Sequence, residues 1–218
     1  MNQAEFDRWQ TRYSAPDYIF GKEPNAFVKA HAHLLRKGQT ALSVADGEGR
    51  NGVFLAEQGL DVLSIDFSPA AQEKARSLAQ ERGVKLRIER ADVMNWHWPQ
   101  QAFDVVVAIF IQFAPPTERA KIFAGIKRAL KPGGLLLMEG YGPNQLEYKT
   151  GGPSELNQLY TRELLEEAFG DFSSLDIREH ETVIHEGSRH GGADRSGGAE
   201  VAAVLGISLE LRFPAISE

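Results

Sequence analysis

The chain has 218 residues, of which 42% are apolar and 25% charged, a globular balance that excludes a disordered or collagen-like chain. It carries 24 basic and 30 acidic residues, and the resulting net charge of −6 disfavours non-specific binding to nucleic acid. Because the chain has no cysteine, disulfides, thiolate metal sites and a cysteine nucleophile are excluded.

The N-terminal residues and the length of the apolar runs predict the cellular location of the protein. The first residues lack the basic-then-apolar order of a signal peptide. Apolar runs such as residues 105–111 are far shorter than the ~20 residues that span a bilayer. We therefore expect a cytoplasmic protein that does not enter the membrane, with a single domain over residues 1–218.

The first half of the chain alternates between helical and strand patterns. Apolar residues at helical spacing predict an amphipathic helix over 27–35, which Gly38 ends. A buried strand is predicted over 40–45, followed by a helix from about residue 51 to Gly59 and a second strand over 61–66. Ser68-Pro69 indicates a helix start, because Ser caps free amides and Pro is tolerated at the first helical position. That helix is predicted to reach residue 81.

The same alternation continues to residue 140. Residues 84–89 predict a third strand, and residues 103–109 a fourth that is almost wholly apolar, as a strand covered on both faces should be. Thr117 is predicted to cap a helix running through residue 130, residues 131–134 to form a turn, and residues 135–140 a fifth strand. Strands that alternate with helices predict a parallel sheet with right-handed crossovers.

The two ends of the chain depart from this alternation. After a helix capped by Thr161, residues 175–185 and the alternating residues 207–213 have strand patterns with no helix between them, so an antiparallel pair and a mixed sheet are expected. The final antiparallel strand is placed within 199–213. At the other end, residues 1–24, with several aromatic side chains, are expected to form a flap over the site.

A glycine loop follows the first predicted strand. Gly47, Gly49 and Gly52 match G-x-G-x-x-G between a strand and a helix, which is the context that this pattern requires. Asp66 ends the next strand, 20 residues beyond Asp46, where a carboxylate can accept both hydroxyls of a ribose. The sequence therefore predicts a nucleoside cofactor.

The charge of this loop favours one cofactor over another. Asp46 and Glu48 would repel the diphosphate of NAD, and Coulomb's law puts the cost of this repulsion at about several kcal/mol. The same two carboxylates would attract the sulfonium and ammonium of S-adenosylmethionine. Asp92 after the third strand can accept from an adenine amino group while the Val93 amide donates to the ring. The antiparallel final pair agrees, because dinucleotide folds usually continue with parallel strands.

Several motifs taken together carry a family resemblance. They are Arg12-Tyr13, Tyr18-Ile19-Phe20-Gly21-Lys22-Glu23-Pro24-Asn25, Gly47-Glu48-Gly49-Arg50-Asn51, Ile65-Asp66-Phe67-Ser68, Leu130-Lys131-Pro132-Gly133-Gly134 and Met138-Glu139-Gly140. With them the chain resembles class I S-adenosylmethionine-dependent methyltransferases, most of all the tellurite-resistance and thiopurine methyltransferase-like branch. The resemblance implies an α/β, Rossmann-like three-layer sandwich whose seven-stranded, mostly parallel sheet ends in an antiparallel strand.

The resemblance also implies a cofactor site at the carboxyl ends of the first strands. The chain departs from the family pattern at Ser43, where an acidic residue is usual, and at Ala45, where the first glycine is usual. Asp46 stands where the family often has Cys, and we hypothesise that its displaced carboxylate contacts the ammonium group. The predicted cofactor-binding residues are Asp46, Gly47, Glu48, Gly49, Asn51, Asp66, Phe67, Ser68, Asp92, Val93 and Ile109.

Methyl transfer from a sulfonium needs alignment more than acid–base help. We therefore name no catalytic base, since a thiolate or a chalcogen oxyanion arrives ready to react. Segments expected to overhang the methyl group supply the substrate-pocket candidates, with Arg50 able either to bind an anionic substrate or to pair with Glu48. These candidates are Tyr18, Phe20, Arg50, Phe110, Phe113 and Tyr141.

The expected enzyme methylates a small molecule of the thiol, thiopurine or chalcogen-oxyanion type, and no nucleic acid. Two alternatives stay open, an NAD(P)-dependent oxidoreductase and a protein that binds S-adenosylmethionine without catalysis. The histidines at 180, 185 and 190 lack metal-ligand spacing, so no metal is expected. The cationic loop of Arg189, His190 and Arg195 could lie near an anionic substrate. The sequence does not select the acceptor or the oligomeric state.

Overall fold

The structure is a computed structural model that describes residues 3–148, 152–183 and 203–212. Its strands are β1 (Thr40–Val44), β2 (Asp61–Asp66), β3 (Arg87–Arg90), β4 (Phe103–Ile109), β5 (Leu130–Tyr141), β6 (Ser174–Val183) and β7 (Ala203–Arg212). Its α-helices are α1 (Gln3–Tyr13), α2 (Ala26–Ala30), α3 (Arg50–Glu57), α4 (Pro69–Glu81), α5 (Pro116–Ala129), α6 (Gln145–Tyr148) and α7 (Arg162–Phe169).

The strands are hydrogen-bonded in the order β3-β2-β1-β4-β5-β7-β6. Strands β1 to β5 run parallel, and β7 lies antiparallel between β5 and β6. The strand order reverses between β1 and β4, so the chain leaves these neighbours toward opposite sides and opens a crevice at their carboxyl ends. The predicted α/β Rossmann-like fold and the antiparallel terminal pair are confirmed.

Helices cover both faces of the sheet because consecutive strand residues point to opposite sides. Val106 and Leu136 pack in a cluster that includes Ile122 of α5 and Phe169 of α7. Their neighbours Val105, Val107, Leu135 and Leu137 pack in a second cluster with Val28 of α2 and Leu55 of α3. The buried strands β4 and β5 thus read as continuous apolar runs, as predicted for strands covered on both faces.

Two predicted helix caps are confirmed. The Ser68 hydroxyl accepts from the Ala71 amide at 3.2 Å, and Pro69 is the first residue of α4. The Thr161 hydroxyl accepts from the Leu164 amide at the start of α7.

Four predicted elements were wrong in their bounds. The helix expected over 27–35 is α2 followed by a separate 3-10 turn, Ala32–Leu34, because the chain turns at His31. The third strand begins at Arg87 rather than residue 84. Helix α5 starts at Pro116 after Pro115, and the Thr117 hydroxyl donates to Glu118 instead of capping the helix. Strand β5 begins at Leu130 and includes residues 131–134, because a register irregularity opposite Phe103 absorbs the expected turn.

The N-terminal segment contains a helix that the sequence patterns did not predict. Helix α1 packs against α4, and its Gln10 side chain accepts from the Ser68 hydroxyl at 2.7 Å. Trp9 and Tyr13 stack at 5.4 Å and join Ile19 in a small apolar cluster. Through the parts of the chain that the structure describes, no helix combines the length and apolarity needed to cross a bilayer.

Candidate functional site

A cavity of about 470 Å³ lies where the strand order reverses. Its walls come from the loop after β1, the end of β2, the residues after β4 and β5, and helix α1, which closes it from above. This is the position at which open α/β sheets bind ligands, because the loops at the carboxyl ends of β1 and β4 diverge there.

The backbone is strained on both sides of this crevice. Ala45 directly follows β1 with φ 48°, and Phe110 directly follows β4 with φ 54°. Non-glycine side chains pay roughly 1–2 kcal/mol for the left-handed region, and such strain tends to persist at functional sites. Ala45 therefore holds the conformation that the family's first glycine would adopt freely. Phe110 is stabilised by its ring contact with Tyr141, whose centroid lies 4.6 Å away.

Asp46 ties the glycine loop to the sheet. Its buried carboxylate accepts from the hydroxyls of Ser43 and Ser64, each at 2.7 Å, and from the Gly52 amide at 3.1 Å. Burial raises the pKa of this carboxyl, although the two serines and the amide oppose the shift. The residue borders the cavity, but its oxygens are used inside the protein.

We expect Asp46→Ala to lower the free energy of unfolding by about 2 kcal/mol, because three donors lose a charged acceptor while the buried charge disappears. Ser64→Ala, which removes one of the three bonds, should cost about 1 kcal/mol. Urea unfolding measures both values. Titration of the folded Asp46→Ala variant with S-adenosylhomocysteine tests the hypothesised ammonium contact, which unchanged affinity would exclude.

Asp66 lies at the end of β2 with its carboxylate on the cavity wall. One oxygen accepts from the Gly47 amide at 3.0 Å and the other from the Ser68 amide at 2.8 Å. Burial raises the pKa of this carboxyl to about 6, although the Ser68 and Gly47 amides oppose the shift. None of the described contacts of the carboxylate is with a cation. A carboxylate fixed in this way has lone pairs free for the hydroxyls of a ribose.

Glycine is required at two positions of the loop because neighbouring atoms leave no room for a Cβ. Gly47 has φ 60°, and a Cβ there would lie 2.9 Å from the Tyr13 hydroxyl. Gly49 has φ 88°, and its Cβ would lie 2.6 Å from Cβ of Ala75 in α4. The loop backbone thus lies close to Tyr13 of the cavity wall at Gly47 and packs against α4 at Gly49, and the exposed backbone at Gly47 together with Asp66 fits an adenosine-bearing cofactor.

Other polar side chains of the loop face the N-terminal segment. Glu48 accepts from the Ile19 amide at 2.7 Å and from Lys74 at 2.7 Å, and it does not line the cavity. The Asn51 side chain accepts from the Asn25 amide at 2.9 Å and borders the cavity. The expected attraction of a sulfonium by two loop carboxylates therefore does not follow from the geometry, because both carboxylates are engaged within the protein.

The remaining predicted cofactor residues divide into two groups. Phe67 and Ile109 line the cavity. The Ser68 side chain is used by α4 and Gln10, and Asp92 accepts from the Met94 amide at 3.1 Å and from Asn95 at 2.9 Å. Val93 is buried in the core cluster. Neither Asp92 nor Val93 borders the cavity, and their predicted contacts with adenine stay predictions.

The structure brings most substrate-pocket candidates together. The cavity wall contains Phe20, Arg50, Phe110, Phe113 and Tyr141. Tyr18 lies apart: its hydroxyl donates to the Lys74 carbonyl at 2.9 Å, and its ring packs with Val53 and Leu78. This position follows from the turn at residues 18–21, which directs Phe20 toward the cavity and Tyr18 toward α4.

Sequence reasoning missed several residues of the cavity wall. Arg8, Trp9, Arg12 and Tyr13 of α1 all border it, and so does Gln112. Gln112 donates to the Tyr141 carbonyl at 2.8 Å and accepts from its amide, and so holds Tyr141 in place. The aromatic and basic content of residues 8–13 was the available signal, whereas nothing in the sequence distinguishes Gln112.

No cluster of three or more histidine or acidic side chains suited to a metal occurs within residues 3–148, 152–183 and 203–212. His185, Arg189, His190 and Arg195 lie outside the described residues, and of His180 only the backbone is described. Their predicted relation to the pocket stays a prediction.

Comparison with known proteins identifies the domain. Residues 41–134 match the family described as a methyltransferase domain. The demethylmenaquinone methyltransferase of Thermus thermophilus is 33% identical over 104 residues, which cover 47% of this chain and 47% of that protein. The chain spans about half the length, or less, of the first curated relatives that it matches.

Solved structures resemble the fold over most of the chain. TehB from Haemophilus influenzae superposes with a TM-score of 0.68 at 16% identity, covering 96% of this chain and 67% of that one. Phosphoethanolamine N-methyltransferase 2 from Haemonchus contortus, in complex with S-adenosyl-L-methionine, gives a TM-score of 0.62 at 25% identity over 78% of this chain and 43% of that one. Residues 41–134 thus match a methyltransferase domain, and the fold is shared with solved methyltransferases, one of them bound to the predicted cofactor S-adenosyl-L-methionine.

Proposed function

We propose that the chain, which belongs among the class I S-adenosylmethionine-dependent methyltransferases, transfers a methyl group to a small-molecule acceptor of the thiol, thiopurine or chalcogen-oxyanion type. The chemical character of the cavity wall carries this proposal. The wall combines the aromatic rings of Trp9, Phe20, Phe110 and Phe113 with the guanidinium groups of Arg8, Arg12 and Arg50, and we assign this part of it to the acceptor.

The wall offers no obvious proton acceptor. Among the described residues that border the cavity there is no histidine, lysine or cysteine. Of its carboxylates, Asp46 accepts from Ser43, Ser64 and the Gly52 amide, Glu5 pairs with Arg8, and Asp66 is assigned to the ribose of the cofactor. A nucleophile that is already deprotonated near neutral pH, such as a thiolate or an oxyanion, needs no general base. The guanidinium groups of Arg8, Arg12 and Arg50 favour such an anion.

The chain's own residues then have two tasks in the reaction, which are to hold the cofactor and to enclose the acceptor. The bound cofactor supplies an activated methyl group on a sulfonium. Asp66 and the bare loop backbone hold its nucleoside, so that the cofactor has one orientation in the crevice. The rings of Phe20, Phe110 and Tyr141 enclose the acceptor side and exclude water, which lets the nucleophile approach in line.

The TehB-like branch is part of this proposal. Its support is the fold shared with TehB from Haemophilus influenzae over 96% of this chain, and an N-terminal segment that lines the cavity. The names of the relatives point to varied acceptors, among them a demethylmenaquinone, glycine or sarcosine, and a tRNA cytidine. The acceptor is therefore to be identified by assay.

We expect S-adenosylhomocysteine at 100 times its Kd to stabilise the protein by about 2.7 kcal/mol, which corresponds to a rise in the melting temperature of roughly 5–10 °C. NAD(H) at the same concentration should give no shift, and differential scanning fluorimetry compares the two. A shift with NAD(H) alone would contradict the proposal. An assay of demethylated cofactor over thiols, thiopurines, selenite and tellurite then identifies the acceptor, and no turnover across this panel would favour a non-catalytic binding protein.

A further inference from the structure

Glu48 of the glycine loop does not border the cavity, and its side chain faces the N-terminal segment. Glu48 is only 3% exposed and sits between Gly47, which borders the cavity, and Gly49, which packs against α4. One of its carboxylate oxygens accepts from the Ile19 amide at 2.7 Å, and the same oxygen is 3.5 Å from the Phe20 amide nitrogen. The loop therefore binds the N-terminal segment at Phe20, a residue of the cavity wall.

Arg50 holds the opposite side of the same residue. Its guanidinium donates to the Phe20 carbonyl at 3.3 Å and lies 5.8 Å from the centroid of the Phe20 ring. Glu48 and Arg50 are two residues apart, so they flank Gly49 and reach the two polar groups of one peptide residue. Phe20 is thus fastened to the loop through both its N–H and its C=O.

Lys74 of α4 completes this attachment. Its ammonium donates to the second Glu48 oxygen at 2.7 Å and to the Asp17 carbonyl at 2.6 Å, while its own carbonyl accepts from the Tyr18 hydroxyl. The Lys74 side chain is 15% exposed and that of Glu48 is 2% exposed, so little water screens the pair. Lys74 thereby balances the Glu48 charge, and residues 17–20 are fixed from three directions.

We propose that Glu48 is a positioning residue for the acceptor: by binding the Ile19 and Phe20 amides, it sets the place of the Phe20 ring in the acceptor wall. The inference rests on the proposed function, because the acceptor wall has this meaning only in a methyltransferase. It assigns to Glu48 a contact with the flap in place of one with the cofactor. On the cavity side the loop presents the Gly47 backbone and Asp66, which are hydrogen-bonded to each other and not to the Glu48 side chain.

The test is Glu48→Gln, which keeps the size of the side chain but removes its charge. We expect the KM for the acceptor to rise at least tenfold, while the Kd for S-adenosylhomocysteine stays within threefold of the parent value. Hydrogen–deuterium exchange read on a peptide covering residues 17–25 should become faster, because the buried amide of Ile19 loses a charged acceptor. This exchange measurement requires no turnover and no acceptor.

Two further variants make the result specific. Glu81→Gln breaks the exposed ion pair with Lys22 on the same segment, and should change neither the KM nor the exchange rate. Glu48→Asp keeps the charge beside Lys74 but draws the carboxylate back by one methylene. If Glu48→Gln does not fold, Glu48→Asp carries the test, with an expected KM increase of about threefold and a smaller increase in exchange.

The outcomes separate the inference from the proposed function. Unchanged KM and unchanged exchange in the Glu48 variants would overturn the inference while leaving the methyltransferase proposal intact. A large loss of S-adenosylhomocysteine affinity with unchanged exchange would also overturn it, by making Glu48 a cofactor-binding residue. If no acceptor is ever turned over by the parent protein, the proposed function fails, and faster exchange with unchanged affinity would still support the attachment of the flap.

Discussion

Replacement of Asp66 by asparagine is expected to weaken the binding of S-adenosylhomocysteine roughly 100-fold. The carboxylate is held by the Gly47 and Ser68 amides on the cavity wall, and its remaining lone pairs are the acceptors available for two ribose hydroxyls. Hydrogen bonds to a charged group contribute about 1.5–3 kcal/mol each, and a neutral amide can replace them only in part. Isothermal titration calorimetry at pH 7.5 measures the loss.

The same carboxylate should make cofactor binding depend on pH. Because burial raises the pKa of Asp66 to about 6, the ionised form that accepts the hydroxyls is present above pH 6 and is lost below it. We expect the affinity of the parent protein to be about tenfold lower at pH 5 than at pH 7. Asp66→Asn should have a flat profile over the same range, since it has no proton to gain at this position.

Asp61→Asn is the matched control, because it makes the same chemical change at the opposite, exposed end of β2, where Asp61 pairs with Arg87. It should bind S-adenosylhomocysteine like the parent protein. Equal affinity of Asp66→Asn and the parent protein at pH 7.5 would contradict the assignment of Asp66 to the ribose.

Backbone-level features of this fold were predictable because each depends on local sequence. The strand–loop–helix at Gly47, the cap at Ser68 and the alternation of residues 207–211 each follow from spacing or from one side chain's chemistry. The site's position also follows, since parallel strands of known order bring the ends of β1 and β2 to one edge of the sheet. Asp66 accordingly lies on the cavity wall, and its predicted contact with a ribose stays a prediction.

Side-chain direction within the loop was not predictable from the same patterns. Asp46 and Glu48 are adjacent to the glycines in sequence, but Asp46 turns into the sheet because Ser43 and Ser64 offer hydroxyls there. Glu48 turns toward the N-terminal segment, where the Ile19 amide and Lys74, which are distant in sequence, both donate to it. Electrostatic reasoning from the loop sequence alone counted both charges toward the cofactor, and this is why it overstated their attraction, although the cofactor it favoured was the right one.

Substitution of Gly49 by alanine is expected to be the most destabilising single change in the loop. An added Cβ would lie 2.6 Å from the Ala75 Cβ and 2.8 Å from the Ala75 Cα, and the residue has φ 88°. The second of these atoms is backbone, so α3 and α4 would have to move apart. Overpacking costs typically 1–3 kcal/mol, and the left-handed backbone adds roughly 1–2 kcal/mol, so a loss of about 4 kcal/mol is expected.

Gly83→Ala separates the two causes of this loss. Gly83 also has a positive φ, 67°, but a Cβ there would meet no atom within 4 Å, so only the backbone cost of about 1 kcal/mol applies. Urea unfolding of both variants therefore isolates the clash with α4 as their difference, about 3 kcal/mol. Equal losses in the two variants would show that α4 does not press against the loop. In that case close packing on α4 would not be the reason for a glycine at this position.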